Sequence, residues 1–331
     1  MEAQDLFAPD ALAPTVRPQM KAIRLEHFGP PEVMVCREIE RPVPASGQVL
    51  VRVKAAGVGP WDAWVRTGRS ALVTAEALPV TPGSDIAGIV EAIGPGDSPF
   101  ETGDEVFGVT NAEFTGAYAE FAVAANHMVA RKPTVLSFAE AASVPVIAVT
   151  AWQMLFDHAR LARGQTVLIL GASGNVGAFA VQLAHSRGLN VIATGSPDEL
   201  HRLRTLGADR VVDARTGCFE LAGGPVDAVI DTVGTALQAR ALPLLKAGGA
   251  FVSAVAPLDE TLARQAGVRG VFFIVDVTAA LLARIAGEID SGGLRTHVGP
   301  VLALEDARLA HEMLDGLRPC PRGKIVLTVD H

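Results

Sequence analysis

Cysteine is scarce in this chain, and no cysteine sits in a pattern that suggests structural or metal-binding work. The three present, Cys36, Cys218 and Cys320, are widely scattered, with no CxxC and no Cys/His ligand spacing. That excludes a disulfide framework and a structural zinc cluster, and it suits a reducing compartment, the cytoplasm. Basic clusters are missing too. The formal charge is −8 and no long basic run occurs, which argues against nucleic acid as a partner. A local basic pocket for one phosphate stays open. No stretch of about 18 apolar residues is free of charge, Pro and Gly, so no membrane span is expected. Residues 1–19 hold Glu2, Asp5, Asp10, Pro9, Pro14 and Pro18, and lack a basic start followed by an apolar run. They are neither a secretory signal nor an Arg-rich transit peptide; a mobile arm is expected. Tyrosine occurs once, as Tyr118.

What the chain has in quantity is apolar residues, 49% of 331, enough for about two domains with buried cores. The first part reads as short strands parted by turns. Strands are expected at Met20–Glu26, Val33–Glu40, Gln48–Ala56, Ile86–Ile93, near Glu105 to Gly108, and at Gly116–Ala125. Trp61 to Thr67 reads as a short helix or a turn. Many short strands with turns between them predict a small, partly open barrel. From Ser137 the texture changes. Ser137-Phe138-Ala139-Glu140 fits a capping box, and a second helix is expected over Val146–His158. Buried-type strands at 166–170, 190–194, 210–213, 226–231, 249–255 and 271–277 then alternate with helical segments, which predicts a parallel, doubly wound sheet. Helices near 279–291 and 304–317 follow. The closing strand Lys324–Val329 has no helical partner and is expected to rejoin the first domain.

One stretch organises the second half. The apolar run Thr166–Leu170 ends at Gly171-Ala172-Ser173-Gly174-Asn175-Val176-Gly177, which opens directly into an apolar-periodic helix. Strand, glycine turn and helix in this order are what a dinucleotide fingerprint requires. Glycine lets the backbone approach a pyrophosphate, and the helix start supplies amide donors and the positive end of the dipole. An ordinary tight turn is the alternative, and the strand–helix pairs that follow count against it.

Taken together, Val49–Val53 with Gly57-Val58-Gly59-Pro60, Pro82–Val90, Gly103–Val106, Gly116–Phe121, Thr150-Ala151-Trp152, the glycine turn, Leu206–Asp209 and Gly323–Leu327 resemble the medium-chain dehydrogenase/reductase superfamily. The chain is most similar to its zinc-independent, zeta-crystallin-like quinone oxidoreductase group, over about Met20 to Val329. The resemblance implies an α/β protein with a GroES-like barrel, residues 20–140 and 295–331, and a Rossmann domain, residues 141–294, with the active cleft between them. Zinc-dependent relatives carry a Cys and a Gly-His-Glu where this chain has Gly59 and Gly83-Ser84-Asp85. Glycine and serine cannot supply a thiolate and an imidazole, and the four-cysteine lobe is absent, so no metal is expected. Without a Lewis acid to stabilise an alkoxide, reduction of a quinone or a conjugated C=C is the expected chemistry.

By the same resemblance Ser173, Gly174, Asn175, Val176 and Gly177 line the cofactor's pyrophosphate, with Asn175 where a left-handed backbone is tolerated. Thr150, Thr232, Val233, Ala254, Val255, Phe272 and Phe273 supply further cofactor contacts. An NAD enzyme usually has an acid after the second strand. Here Ala193-Thr194-Gly195-Ser196 has none, which favours NADP(H) with Ser196 and Arg202 on the 2′-phosphate. Asp198 and Glu199 stand close by, and Ser196–Glu199 reads as a capping box that would occupy them. Arg322 either reaches the cofactor or caps the surface. Trp64 either stacks on the nicotinamide or substrate, or fills the barrel core. Trp61 is expected to border the substrate entrance, and Tyr118 is either a proton donor or an ordinary strand residue. The implied protein is a homodimer joined at Val271–Val277, an edge that pairing would protect. Enoyl-thioester reduction and NADPH sensing without catalysis are the competing readings.

Overall fold

The structure, a computed structural model, describes residues 18–215 and 224–330. The expectation for the N-terminal arm therefore lies largely outside the described residues, as does Cys218. Gln19 is already in a strand.

The first layer is built on one long strand. β1 (Gln19–Leu25) and β2 (Met34–Glu40) form an antiparallel hairpin. β3 (Gln48–Val58), β4 (Asp85–Ile93), β5 (Glu105–Val109), β6 (Phe121–Ala125) and β7 (Val129–Arg131) form the main barrel sheet. Eleven residues let β3 serve two neighbours on one side. Its first part, Gln48–Arg52, pairs with β6, while Ala55–Val58 stays available for the chain's last strand. Register shifts against β4 between Leu50/Val51 and Val53/Ala55 bend it, as bulges do at barrel corners. The helix α1 (Pro60–Arg66) follows directly, started by Pro60 in the first turn.

Two expectations change in this layer. Gly116–Ala125 is not one strand. Gly116 has φ +96°, and the amides after it bond to Gly83 and Pro82, so only Phe121–Ala125 joins the sheet. The three-residue β7 was too short to show any alternation.

The Ser137 capping box forms in full and starts α2 (Phe138–Ala142). The next helix is not uniform. α3 (Pro145–Trp152) is α-helical, and Gln153–His158 continues as a π-helical turn. The parallel sheet then runs through β8 (Thr166–Leu170), α4 (Asn175–Ser186), β9 (Asn190–Gly195), α5 (Leu200–Thr205) and β10 (Arg210–Asp213). It continues through β11 (Val226–Asp231), α6 (Thr235–Ala241), β12 (Leu245–Ser253), α7 (Glu260–Gln265) and β13 (Arg269–Phe272). The spatial order is β10-β9-β8-β11-β12-β13. The chain thus reverses direction between β8 and β11, the switch point where doubly wound folds bind ligands. Val167–Leu170 are fully buried because helices cover both faces; each such side chain contributes roughly 1.5–3 kcal/mol.

The sixth strand is shorter than its apolar run suggests. It stops at Phe272, opposite Ser253 where β12 ends, and beyond it the backbone of Asp276 bonds to the Gln153 side chain, at 2.7 and 3.2 Å. After α8 (Ala279–Asp290) the chain returns to the barrel through β14 (Val298–Ala303), α9 (Ala307–Leu314) and β15 (Lys324–Thr328). β15 pairs antiparallel with Ala55–Val58 of β3, so the last strand does rejoin the first layer. Proline at 300 masked β14 in the sequence, and β14 is an edge strand, where proline is tolerated.

Candidate active site

The glycine turn is held from three directions. The Gly174 amide donates to the Gly171 carbonyl at 2.9 Å, and the Gly171 amide donates to Thr194 Oγ1 at 3.1 Å. Thr232 Oγ1 donates to the Leu170 carbonyl at 2.8 Å. A Cβ on Gly171 would fall 2.5 Å from Thr232 Oγ1 and 2.7 Å from Val233, and one on Gly177 would fall 2.3 Å from the Gly171 carbonyl. These glycines are therefore steric requirements of the turn and of the close helix–strand contact. Ala178 is the first amide to bond back into α4, to Gly174 at 2.9 Å. The amides of Asn175, Val176 and Gly177 thus face out of the helix start. This cradle fits a dinucleotide pyrophosphate. Asn175 does not use its tolerance of left-handed backbone: the non-glycine residues with positive φ among those described are Phe114 and Arg160.

The ends of β11 and β12 are organised by a residue the motifs did not single out. Asp231, fully buried, accepts from the amides of Val233 and Gly234 at 3.0 and 2.9 Å, from Gln238, and from Ser253 Oγ at 3.0 Å. Ser253 Oγ in turn accepts from Val255 and Ala256. One carboxylate thereby shapes the loops carrying Thr232, Val233, Ala254 and Val255. Its sequence signal is an acid at the end of a strand whose last residues, Ala228 to Ile230, are apolar. Phe272 is exposed at the end of β13, while Phe273 lies against the His158 ring, 4.2 Å between centroids. Thr150 is buried, and its hydroxyl donates to Val146 of its own helix at 2.7 Å.

At the end of β9 the expected capping box does not form. Ser196 makes no capping bond. Its hydroxyl accepts from Arg322 Nη2 at 2.7 Å, and the same guanidinium reaches Asp198 at 3.0 Å and Glu199 at 3.4 Å. Bonds from Ser196 and Arg322 hold the Asp198 carboxyl below its usual range, the Ser196 bond contributing most. Arg202 bonds Glu199 at 2.6 Å and the Ser173 carbonyl at 3.1 Å. Arg202 and Arg322 thus neutralise the acids, and Ser196 and Arg322 meet at the strand end. A cavity of about 190 Å³ lies beside the start of α4, lined by Gly174, Asn175, Arg202, Arg295 and His297 among others.

The barrel side bears on three aromatic expectations. Trp64 is 40% exposed, which removes it from the core. Trp61, expected at the entrance, is half-buried: its Nε1 donates to Ser84 Oγ at 3.0 Å and its ring lies 4.2 Å from Lys324 Nζ. Tyr118 is fully buried. Its hydroxyl donates to Asp62 Oδ2 at 2.8 Å, and His311 Nε2 lies 3.5 Å away. Burial pushes the Asp62 carboxyl up to about 7, against the pull of Lys324, and pushes the Tyr118 phenol well above its ordinary value. Burial, with Arg66 nearby, lowers His311 to about 3. Arg66 is buried and pairs with Asp315 at 2.6 Å. The phenol therefore belongs to a buried polar core of Asp62, His311 and Arg66. Among the described residues no group of three or more His, Cys, Asp or Glu could hold a metal ion.

A GroES-like barrel joined to a six-stranded dinucleotide sheet is the architecture of the medium-chain dehydrogenases and reductases. Residues 45–134 match the alcohol dehydrogenase GroES-like domain and residues 206–327 match the zinc-binding dehydrogenase family. Human quinone oxidoreductase is 32% identical over 311 residues, covering 88% of this chain and 93% of its own. The structure of the quinone oxidoreductase from Coxiella burnetii superposes with a TM-score of 0.86 at 31% identity, over 95% of this chain and all of that one. A mycobacterial protein solved with NADPH gives 0.80 at 30% identity, over 93% of this chain and 99% of its own. The chain belongs to the medium-chain dehydrogenase/reductase superfamily, in its zeta-crystallin-like quinone oxidoreductase group.

Proposed function

We propose that the protein reduces a quinone or an α,β-unsaturated carbonyl with NADPH and without a catalytic metal. The observation that carries this reading is the pairing of the glycine cradle with a barrel wall whose ligand positions are Gly59 and Ser84. Neither residue offers a thiolate or an imidazole. When bound, the reduced nicotinamide supplies the hydride. This chain's residues bind and orient. Ser173 to Gly177 hold the pyrophosphate, and Thr150, Thr232, Val233, Ala254, Val255, Phe272 and Phe273 border the rest of the cofactor. Trp61 and Trp64 face the acceptor, so that proximity is the main catalytic contribution. Tyr118 supports the wall from behind.

The preference for NADPH rests on the end of β9. No acid there is free to accept from a ribose hydroxyl, because Asp198 and Glu199 are engaged by arginines. Ser196 and Arg322 converge on one point, and a guanidinium is well matched to a phosphate. Arg322 replaces Arg202 as the principal phosphate contact in this reading.

Residues 20–140 with 295–331, and 141–294, are taken as the two domains. The protein is read as a homodimer joined along the open edge of β13, where Phe272 and Ile274 are 46% and 60% exposed. The free thiols Cys36 and Cys320 suit the cytoplasm. No described helix is long and apolar enough to cross a membrane.

Initial rates with both cofactors over quinones, enals and enones test the assignment. NADPH is expected to outperform NADH, and Arg322→Ala to raise KM for NADPH about tenfold while leaving NADH nearly unchanged. Equal or better rates with NADH would overturn the cofactor choice. Silence across all acceptors would overturn the activity. Dialysis against a chelator is expected to leave turnover intact.

A further inference from the structure

We propose that Trp61 selects the hydride acceptor, favouring flat conjugated rings, the quinones, over open-chain enals; this rests on the reductase reading above. The starting point is Gly59. A Cβ there would lie 2.4 Å from Cη2 and Cζ2 of Trp61. The indole folds back over its own helix start and fills the room that a side chain at position 59 would need.

Two further contacts fix the ring in that place. Nε1 donates to Ser84 Oγ at 3.0 Å. Lys324 Nζ lies 4.2 Å from the ring centroid, a cation–π distance. Lys324 cannot drift, because it is 1% exposed and pairs at 3.0 Å with Asp85, which is fully buried. Asp85 also accepts from the Val146 amide at the start of α3, the helix that carries Thr150. Gly57 makes space for this arrangement: a Cβ on it would come within 3.0 Å of Lys324 Cε.

The chemical consequence follows from hydrogen-bond bookkeeping. The single N–H of Trp61 is used by Ser84, so the indole's remaining exposed part offers only carbon. Trp64 follows three residues later on α1, 40% exposed, and neighbours on a helix at this spacing share a face. Two indoles at one wall give stacking area and no directed donor from Trp61. A planar ring gains most from such a wall, because offset stacking needs area. A flexible enal gains little.

The test compares kcat/KM for 1,4-naphthoquinone and trans-2-hexenal in wild type, Trp61→Phe, Trp61→Leu and Gly59→Ala. Trp61→Leu is expected to lower the naphthoquinone value about tenfold and the hexenal value less than twofold. Trp61→Phe keeps a ring and retains most of the preference. Gly59→Ala leaves position 61 untouched but dislodges the indole, and should reproduce the Leu pattern. Naphthoquinone binding, followed without turnover by isothermal titration, should weaken by the same factor in Trp61→Leu. Equal losses for both acceptors, no loss for either, or a Phe variant no better than Leu would overturn the proposal. Wild type that turns over neither acceptor would sink the reductase reading itself, and the titration would still decide the role of Trp61.

Discussion

The glycine turn and the barrel wall are made in opposite ways. The turn works through the backbone. Its specificity lies in absent side chains, as at Gly171 and Gly177, where a Cβ would strike the neighbouring strand end. The wall works through side chains. Asp62, Tyr118, His311, Arg66, Lys324 and Asp85 are buried polar groups of the barrel. The turn tolerates no added atom, whereas the wall tolerates no lost partner, since a buried polar group left alone bears its full desolvation cost.

The comparison can be broken most sharply at Gly177. Gly177→Ala puts a methyl 2.3 Å from the Gly171 carbonyl. Backbone on both sides cannot give, so NADPH affinity should fall about 100-fold, a change of roughly 2.7 kcal/mol. Titration by cofactor fluorescence measures it, and unchanged affinity would show that the turn is not a backbone device.

On the wall the expected loss is in stability, not in cofactor affinity. Tyr118→Phe removes the donor to Asp62, whose Oδ1 already lacks a partner. Stability should drop by about 1–3 kcal/mol, read by chemical denaturation, with kcat changed less than threefold. A large loss of kcat at unchanged stability would restore the phenol as a proton donor.

The smallest effect is a pH dependence. His311 is lowered from 6.5 to about 3 by burial, so the unfolded chain takes up the proton first. Its contribution is present above pH 6.5 and is lost as pH falls toward 3. Asp62, raised from 3.8 to about 7, acts oppositely: its native form holds the proton more tightly, so its contribution is present below pH 3.8 and is lost as pH rises through 7. Comparing wild type with His311→Gln isolates the first term. From pH 6.5 to 5.5 the variant should gain about 1 kcal/mol relative to wild type. A constant difference would mean that His311 titrates in the folded protein as it does in the unfolded chain.

Elements whose cause is local could be read directly. The Ser137 capping box, the β8 turn and α4 depend on residues a few positions apart, and all form as expected. Ser196–Glu199 carried an equally good capping pattern and did not cap; the Ser196 hydroxyl instead accepts from Arg322, 126 residues away. The strand expected through Val277 ends where its partner β12 does, and Asp276 beyond it bonds Gln153, 123 residues away.

By itself the sequence determined the doubly wound sheet, the glycine turn and the absence of thiolate and imidazole at positions 59 and 84. Steric freedom and side-chain chemistry are properties of the residue and its near neighbours. Only the tertiary structure decided which tryptophan is covered and what the lone tyrosine does. Tyr118 meets Asp62 across 56 residues and His311 across 193, and Trp61 meets Lys324 only after the last strand pairs with β3. Burial of this kind is set by what the rest of the chain brings to a position, and no local pattern records it.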